Sequence, residues 1–521
     1  MMPYADAVEL EILWANLIGI VSERARALQR TAFSPIVREA GDLACALFDR
    51  RGRMVAQADT GTPGHINCLA NAATSLAEMF RGSLDPGDVI VTNDPWLSAG
   101  HLFDITMLTP LFFGRELTGF FGSTIHYTDI GGSGLGTGAR DAHEEGLWIP
   151  PLKLYERGKL NQTLFRMIEA NVRTPKAVAG DLSAQLAAGH SVADLLQRLC
   201  RRHRLDDIEG ISDEILRRSE EATRNAIRSL KAGTFHGESR FDTPSGESIV
   251  LKAAVNIDTR AGEILVDFAG SSLQSTQGIN CVLNFAHAYT TFAVRSCLNP
   301  ELPNNSGSLA PIRVTAPEGS IVNCTYPAPV TGRHLVGMYV PMPILKALHS
   351  VVPGRVLAEG SGAIWTVQIQ GKQASGESFT SSMFFFSGGM GAREHKPGPS
   401  VTCYPTGVGA IPVETLEASM PIVFDFKRLR PNSGGAGRSR GGDGQSVQFR
   451  LLTEHPWLMS AMTTRLDGGA EGIDGGRPGA PGQFLINGIS TKSAGKRLMK
   501  PDDVVQFETP GGGGYGAIAD E

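Results

Sequence analysis

The apolar positions of the chain fall into two textures that change near residue 232. Over residues 6–30, Val8, Leu10, Leu13, Leu17, Ile20 and Val21 recur at helical spacing, with Glu23, Arg24 and Arg26 towards the end, which predicts a helix. Residues 42–57 predict a hairpin: Leu43–Phe48 and Met54–Gln57 flank Asp49-Arg-Arg-Gly-Arg53, with Gly52 in the turn. Residues 65–82 predict a second helix, and Asp85-Pro-Gly-Asp88 a turn. Two strands, Ile105–Phe113 and Leu117–Ile125, join near Gly114-Arg115, and helices are expected over Leu164–Asn171, Leu182–Ala188, Val192–His203 and Ile211–Lys231. From about residue 234, short alternating runs such as Ile249–Ile257 and Ile264–Phe268 sit between Gly and Pro turns. The expected fold is α+β. An N-terminal mixed α/β domain, 1–232, carries a helical segment at 161–231, and a β-rich domain, 233–521, carries Gly-rich loops at 433–444 and 509–516. No repeat of fixed period occurs.

Composition narrows the function classes. A chain of 521 residues exceeds what one core usually supports. Its 48 basic and 53 acidic residues leave a net charge of −5, which argues against a nucleic-acid surface and gives no electrostatic reason to bind acidic membranes. The seven cysteines are odd in number and contain no C-x-x-C pair, the usage of a reduced protein and not of a disulfide frame or Cys-rich zinc site. Asp6, Glu9 and Glu11 stand where a signal peptide would be basic, and no apolar run is long enough to span a membrane. A cytoplasmic protein is expected.

The strongest chemical signal is a doubled His-x-x-Asp: His101-Leu-Phe-Asp104, after Asn93-Asp94-Pro95-Trp96, and His126-Tyr-Thr-Asp129. With a two-residue turn at Gly114-Arg115, His126 pairs with Phe103, and Asp129 falls opposite Gly100. Cross-strand neighbours lie within roughly 5 Å, so the imidazoles and carboxylates can converge. That donor set suits Zn, Mn or Fe. Residues 101 and 104 would face opposite sides of a regular strand, and Gly100 suggests a loop or bulge that turns His101 inward. Asp42, which opens an apolar strand, is a candidate fourth ligand. The local pattern alone leaves an alternative open, in which the histidines are satisfied core residues and the aspartates cap turns.

The stretch from Asn93 to Asp104 and then His126-Tyr-Thr-Asp-Ile-Gly-Gly132 resembles the hydantoinase B / 5-oxoprolinase family. So do Glu145-Gly-Leu-Trp-Ile-Pro-Pro151, Asn171-Val-Arg173, Gly180-Asp-Leu-Ser-Ala-Gln185, Ser433–Gly437, Arg440–Asp443 and Gly511–Gly516, in family order. The resemblance implies metal ligands at Asp42, His101, Asp104 and His126, held with Mn2+ or Zn2+, or alternatively Fe2+. It implies that Asp129 is a carboxylate orienting a histidine, and that His65 lies near the substrate. It further implies a heteromeric enzyme, A2B2 or larger. A hydantoinase A type ATPase partner with ATP and Mg2+ phosphorylates a hydantoin or lactam, and water activated by the metal of this chain opens the ring. Two relatives of that reading remain: the metal-bearing subunit of an ATP-dependent ketone carboxylase, and a non-catalytic structural partner of the ATPase. Ser98-Ala99-Gly100 and Trp96 depart from the commoner Gly-Gly-Thr and Tyr beside the metal loop.

Other features carry less. Gly134-Leu-Gly136-Thr-Gly-Ala139 fits a dinucleotide fingerprint by letter but lacks its strand-to-helix setting. The 131–138 loop reads as a mobile lid or a plain surface loop. One of His143, Glu144 and Glu145 is a candidate proton shuttle, against a solvated acidic turn; Glu145 is carried forward as a catalytic candidate. For Arg333 and His334, contact and packing are not separable from sequence. No nucleophile elbow occurs, and the basic run Arg198–Arg204 reads as a solvated helix end.

Overall fold

The computed structural model describes residues 7–518 except 374 and 493–494. Up to residue 228 the elements are α1 (Ala7–Thr31), α2 (Pro35–Arg38), β1 (Leu43–Asp49), β2 (Met54–Gln57), α3 (Pro63–Met79), β3 (Val89–Thr92), β4 (Asp104–Phe113), β5 (Glu116–His126), β6 (Leu152–Glu156), β7 (Lys159–Leu160), α4 (Gln162–Asn171), α5 (Pro175–His190), α6 (Val192–His203) and α7 (Glu209–Arg228). The seven strands form one antiparallel sheet in the order β2-β1-β5-β4-β3-β6-β7.

Both faces of this sheet are buried, and β1 shows why. Its alternate residues separate into two groups: Ala44, Ala46 and Phe48 pack in a cluster with Ile66, Leu69 and Leu76 of α3. Leu43, Cys45 and Leu47 join the main core with the buried stripe of α1, from Leu10 to Leu28. The Trp14 indole donates to Val55 O at 3.2 Å and fixes α1 to β2. A strand covered on both faces reads as a continuous apolar run, not an alternation.

The β4–β5 hairpin turns at Gly114-Arg115 as expected, with Phe113 opposite Glu116 and Phe112 opposite Leu117. The register then shifts between Leu111 and Phe112, so that Leu111 pairs with Gly119 and Asp104 pairs with His126. The expected pairing of His126 with Phe103 is therefore wrong by one residue. The cause is a bulge around Thr118, whose hydroxyl donates to Leu111 O at 3.0 Å.

After residue 232 follow β8 (Gly233–Asp242), β9 (Ser248–Asp258), β10 (Glu263–Asp267), α8 (Leu283–Leu298), α9 (Ser306–Leu309), β11 (Ile312–Thr315), α10 (His334–Gly337), α11 (Pro341–His349), β12 (Ile364–Lys372) and β13 (Ser378–Ser387). The rest is α12 (Val413–Ser419), β14 (Ile422–Leu429), β15 (Gln445–Leu451), β16 (Trp457–Met462), β17 (Gln483–Ile486), β18 (Ile489–Ser490), β19 (Lys496–Met499) and β20 (Val504–Glu508). The strands form three sheets, ordered β11-β10-β9-β8, β13-β12-β16-β19 and β14-β15-β20-β17-β18. The fold is α+β, and the β-rich part also holds the buried helices α8 and α11. One continuous cluster of buried apolar side chains runs from Leu10 to Phe507, so α1 and β20 share a core. All seven cysteines are buried and free. Among the described residues, no helix is long and apolar enough to cross a membrane.

The C-terminal glycine loops pack backbone against backbone. Gly442 N donates to Met390 O at 2.9 Å, Gly512 N donates to Gly442 O at 3.0 Å, and a Cβ on Gly389 would lie 1.8 Å from Gly442 O. Replacing Gly389 by Ala should therefore cost about 1–3 kcal/mol or more. Gly468, with open space around it, should tolerate Ala within about 0.5 kcal/mol. Equal denaturation midpoints for the two variants would show that the loops are not tightly interlocked.

Candidate metal centre

Three adjacent strands place one rung of polar residues at the same end of the large sheet. Asp42 immediately precedes β1, His126 ends β5 and Asp104 opens β4. His126 N donates to Asp42 O at 3.2 Å, and His126 pairs with Asp104 across the hairpin. Helix α3 begins over this end: the Thr62 hydroxyl caps it by accepting from His65 N at 3.2 Å, which sets His65 in the first turn.

Asp104 is fully buried and is the hub. Its Oδ1 lies 2.8 Å from His101 Nε2 and 3.0 Å from His126 Nδ1. Its Oδ2 lies 2.9 Å from His65 Nε2 and also takes a hydrogen bond from the Arg333 guanidinium. Burial works to raise the Asp104 pKa, but His101, His65 and Arg333 together hold it well below the usual carboxylate range. His65 Nδ1 faces Asp42 Oδ1 at 3.4 Å. Burial opposes a charge on His65, and the Asp104 and Asp42 carboxylates outweigh it and raise its pKa.

His101 bears most directly on a cation. Its Nδ1 lies 2.9 Å from Thr331 O, and its Nε2 faces Asp104 Oδ1 without a hydrogen bond. Both neighbours are acceptors, and a neutral imidazole has one proton, so one nitrogen must present a bare lone pair to an oxygen. Burial and the nearby Arg333 push the His101 pKa down, against the pull of Asp104, and so oppose a second proton on the ring. A shared cation resolves this clash, and His101, Asp104 and His126 offer ligand atoms within 4.8 Å of one another. The donor set therefore fits a divalent ion.

The supporting contacts come from distant parts of the chain. Asn93 ties the base of the loop that carries His101, donating to Leu102 O at 2.8 Å and Leu147 O at 2.9 Å and accepting from Ile149 N at 2.6 Å. The Asp94 carboxylate accepts from Trp96 N and Leu97 N and shapes the loop that leads to His101. Arg333 donates from Nε to Ala99 O and stacks 4.2 Å over the Phe285 ring. Gly100, at φ +89°, makes room for it: a Cβ there would stand 2.7 Å from Arg333 Cδ. A cavity of about 50 Å³ lies over the centre, lined by Asp42, His65, His101, His126, Arg333 and His334 among others.

Of the residues expected at the site, His101, Asp104 and His126 converge, and Asp42 and His65 stand beside them, with His65 between the two carboxylates. Asp129 and Glu145 are placed elsewhere. The Asp129 carboxylate accepts from Gly131 N at 3.0 Å and from Arg173, whose Nη1 is 2.8 Å away; no described histidine is among its hydrogen-bond partners. This accounts for Arg173 in the Asn171-Val-Arg173 motif. Glu145 is buried outside the cavity wall, and its Oε1 accepts from Val330 N at 2.6 Å and Thr331 N at 2.7 Å. It holds the segment whose Thr331 carbonyl meets His101, a positioning part. The 131–138 loop is mostly packed: Thr137 O accepts from Gly278 N, and Leu135 lines the cavity. His143 lies at the surface against Tyr326, 2.7 Å from its hydroxyl. Thr331 is the site residue that sequence reasoning missed; for Arg333, where the sequence left contact and packing open, the structure shows a contact with Asp104, and His334 lines the cavity.

Burial raises the Glu145 pKa to about 7 from its ordinary 4.5, although two backbone amides oppose the shift. As pH rises from about 4.5 to 7, the unfolded chain ionises first and the folded state loses stability, by up to about 3 kcal/mol. Glu145→Gln should abolish that loss. Its stability relative to wild type should climb over that window in thermal melts, and parallel pH curves would refute the buried, neutral carboxyl.

The sequence profile of the Hydantoinase B/oxoprolinase family matches residues 6–518. A candidate B component of a D-/L-hydantoinase from Pseudomonas sp. (strain NS671) is 30% identical over 98% of this chain and 90% of its own length. Two solved structures share the fold, each with a TM-score of 0.88. The ATP-dependent caprolactamase from Pseudomonas jessenii is 24% identical and is matched over 99% of this chain and 92% of its own, and nucleotide-free acetone carboxylase is 18% identical over 98% and 76%. The chain thus belongs to the Hydantoinase B/oxoprolinase family.

Proposed function

We propose that this chain is the metal-bearing B-type subunit of an ATP-dependent cyclic amide hydrolase, whose ATPase partner activates a hydantoin or lactam by phosphorylation. The supporting observation is the His101–Asp104–His126 cluster, in which a buried imidazole nitrogen faces a buried carboxylate oxygen without a proton for each contact. His101, Asp104 and His126 would hold the ion, with Asp42 nearby as the fourth donor, through a carboxylate oxygen. When bound, a divalent ion supplies Lewis acidity and makes water nucleophilic near neutral pH.

The remaining steps belong to the protein. Thr331, whose amide donates to Glu145, sets the His101 ring with its carbonyl, and Arg333 fixes Asp104 Oδ2 so that Oδ1 is left for the cluster. His65 stands between Asp104 Oδ2, 2.9 Å from its Nε2, and Asp42 Oδ1, 3.4 Å from its Nδ1, a position from which a proton can pass to or from the reacting group. An unstrained cyclic amide resists hydrolysis through resonance, which is why prior phosphorylation by a partner accompanies this reading. The 30% identity to a candidate D-/L-hydantoinase B component, over 98% of this chain and 90% of its own length, supports ring hydrolysis over ketone carboxylation.

Metal analysis tests the centre directly. His101→Ala and His126→Ala should each lose most of the bound divalent metal and ring-opening activity measured with the ATPase partner; unchanged metal content in both would remove the site. Arg333→Lys keeps a cation near Asp104 but loses the guanidinium fork. It should weaken metal affinity by about 10–100-fold in chelator competition, and wild-type affinity would show that Arg333 only packs.

A further inference from the structure

The cavity over the metal centre, about 50 Å³, has room for a few waters at roughly 10–15 Å³ each, not for a ring. A second cavity of about 480 Å³ adjoins it, within the roughly 300–1,000 Å³ range of ligand pockets. Thr406 lies in both walls. Helices α3 and α8 run through both as well: Phe285 and Tyr289 line the small cavity, and Phe292, Arg295 and Ser296 the large one. At 1.5 Å per residue, Arg295 sits roughly 9 Å along α8 from Tyr289.

Arg295 is 9% exposed. Its Nη1 donates to Asn304 Oδ1 at 2.8 Å and its Nη2 to Leu302 O at 2.6 Å, while Nε has no hydrogen-bond partner. Asn304 is held in turn by Gln57 and Asn67, which also line the cavity. The guanidinium therefore stands in a preset frame of neutral amides. Among the described residues, no carboxylate oxygen lies within 4 Å of it to form an ion pair. Burial draws its pKa down to about 10, with no acid working against that, and it stays charged at neutral pH. A buried cation normally has a partner, because desolvation is otherwise uncompensated. Two neutral acceptors explain its two hydrogen bonds but leave its charge over.

We propose that the large cavity is an anion-binding chamber beside the metal centre, in which Arg295 takes the carboxylate or phosphoryl oxygens of the incoming ligand. That the ligand is the ring substrate rests on the function proposed above; the anion site itself does not.

The test is calorimetric titration of the metal-loaded protein with inorganic phosphate, with 5-oxoproline, which is a lactam carrying a carboxylate, and with 2-pyrrolidinone, the same ring without it. A charged hydrogen-bond partner is worth about tenfold or more in affinity. Phosphate or 5-oxoproline should bind wild type at least that much more tightly than Arg295→Gln, with 2-pyrrolidinone indifferent to the change. Dependence on Arg295 for phosphate alone identifies a phosphoryl ligand, and for 5-oxoproline alone a carboxylate. Ser296, exposed in the cavity wall, gives a variant that does not disturb the core: Ser296→Glu should weaken the same anion through like-charge repulsion, and more so at low salt. Equal anion affinity in wild type, Arg295→Gln and Ser296→Glu, or no anion binding to wild type, overturns the chamber. Metal content separates the two proposals. Arg295→Gln should keep its metal, and His101→Ala should lose metal while still binding the anion.

Discussion

A carboxylate with no exposed surface organises this molecule. Asp104 cannot stay ionised at full burial without partners, since desolvation of a lone carboxylate costs several kcal/mol. Its two oxygens meet His101 and His126 on one side and His65 and Arg333 on the other. Each partner arrives on a different element: the loop before β4, the end of β5, the first turn of α3, and the 330s segment. The convergence of these elements is set by the need to satisfy one side chain, and the cluster that results has the donors of a metal centre.

That requirement binds the two halves of the chain together. Arg333 and Thr331 lie more than two hundred residues after the hairpin that they complete, and Glu145 fastens their segment through two backbone amides. A 1–228 fragment would leave Asp104 Oδ2 short of a cation and His101 Nδ1 without its carbonyl. The continuous core from Leu10 to Phe507 has the same consequence on a larger scale. Site and core are both products of the whole chain.

What the sequence revealed follows from how local the cause was. The hairpin, its turn, and the helices of the 161–231 segment rest on contacts between near neighbours and were legible. The register was wrong by one because the bulge at Thr118 depends on packing in the sheet and leaves no turn residue as a marker. Helix α8 escaped notice because Phe285, Ala288, Tyr289, Thr291, Val294 and Cys297 are buried nearly all round its axis, which erases the polar face that reveals a helix. The family resemblance implied that Asp129 orients a histidine. Its carboxylate instead pins the segment around Arg173, a contact no spacing encodes. Glu145 was suspected of moving protons, and its burial against the backbone gives it a scaffold's place.

The glycines show the same division between local and distant causes. A Gly-rich run by itself suggests mobility. In the 433–444 and 509–516 loops the absence of a side chain lets carbonyl and amide layers come into direct contact, as the 1.8 Å approach of a Gly389 Cβ to Gly442 O would forbid for any other residue. At Gly100 the same absence lets the Arg333 side chain pass to Asp104. One composition thus serves two ends, rigid backbone packing far from the centre and access for a single cation within it. Arg295 completes the contrast. Arg333 is buried because a carboxylate demands it, whereas Arg295 is buried with amides alone and keeps its charge for something the chain does not itself contain.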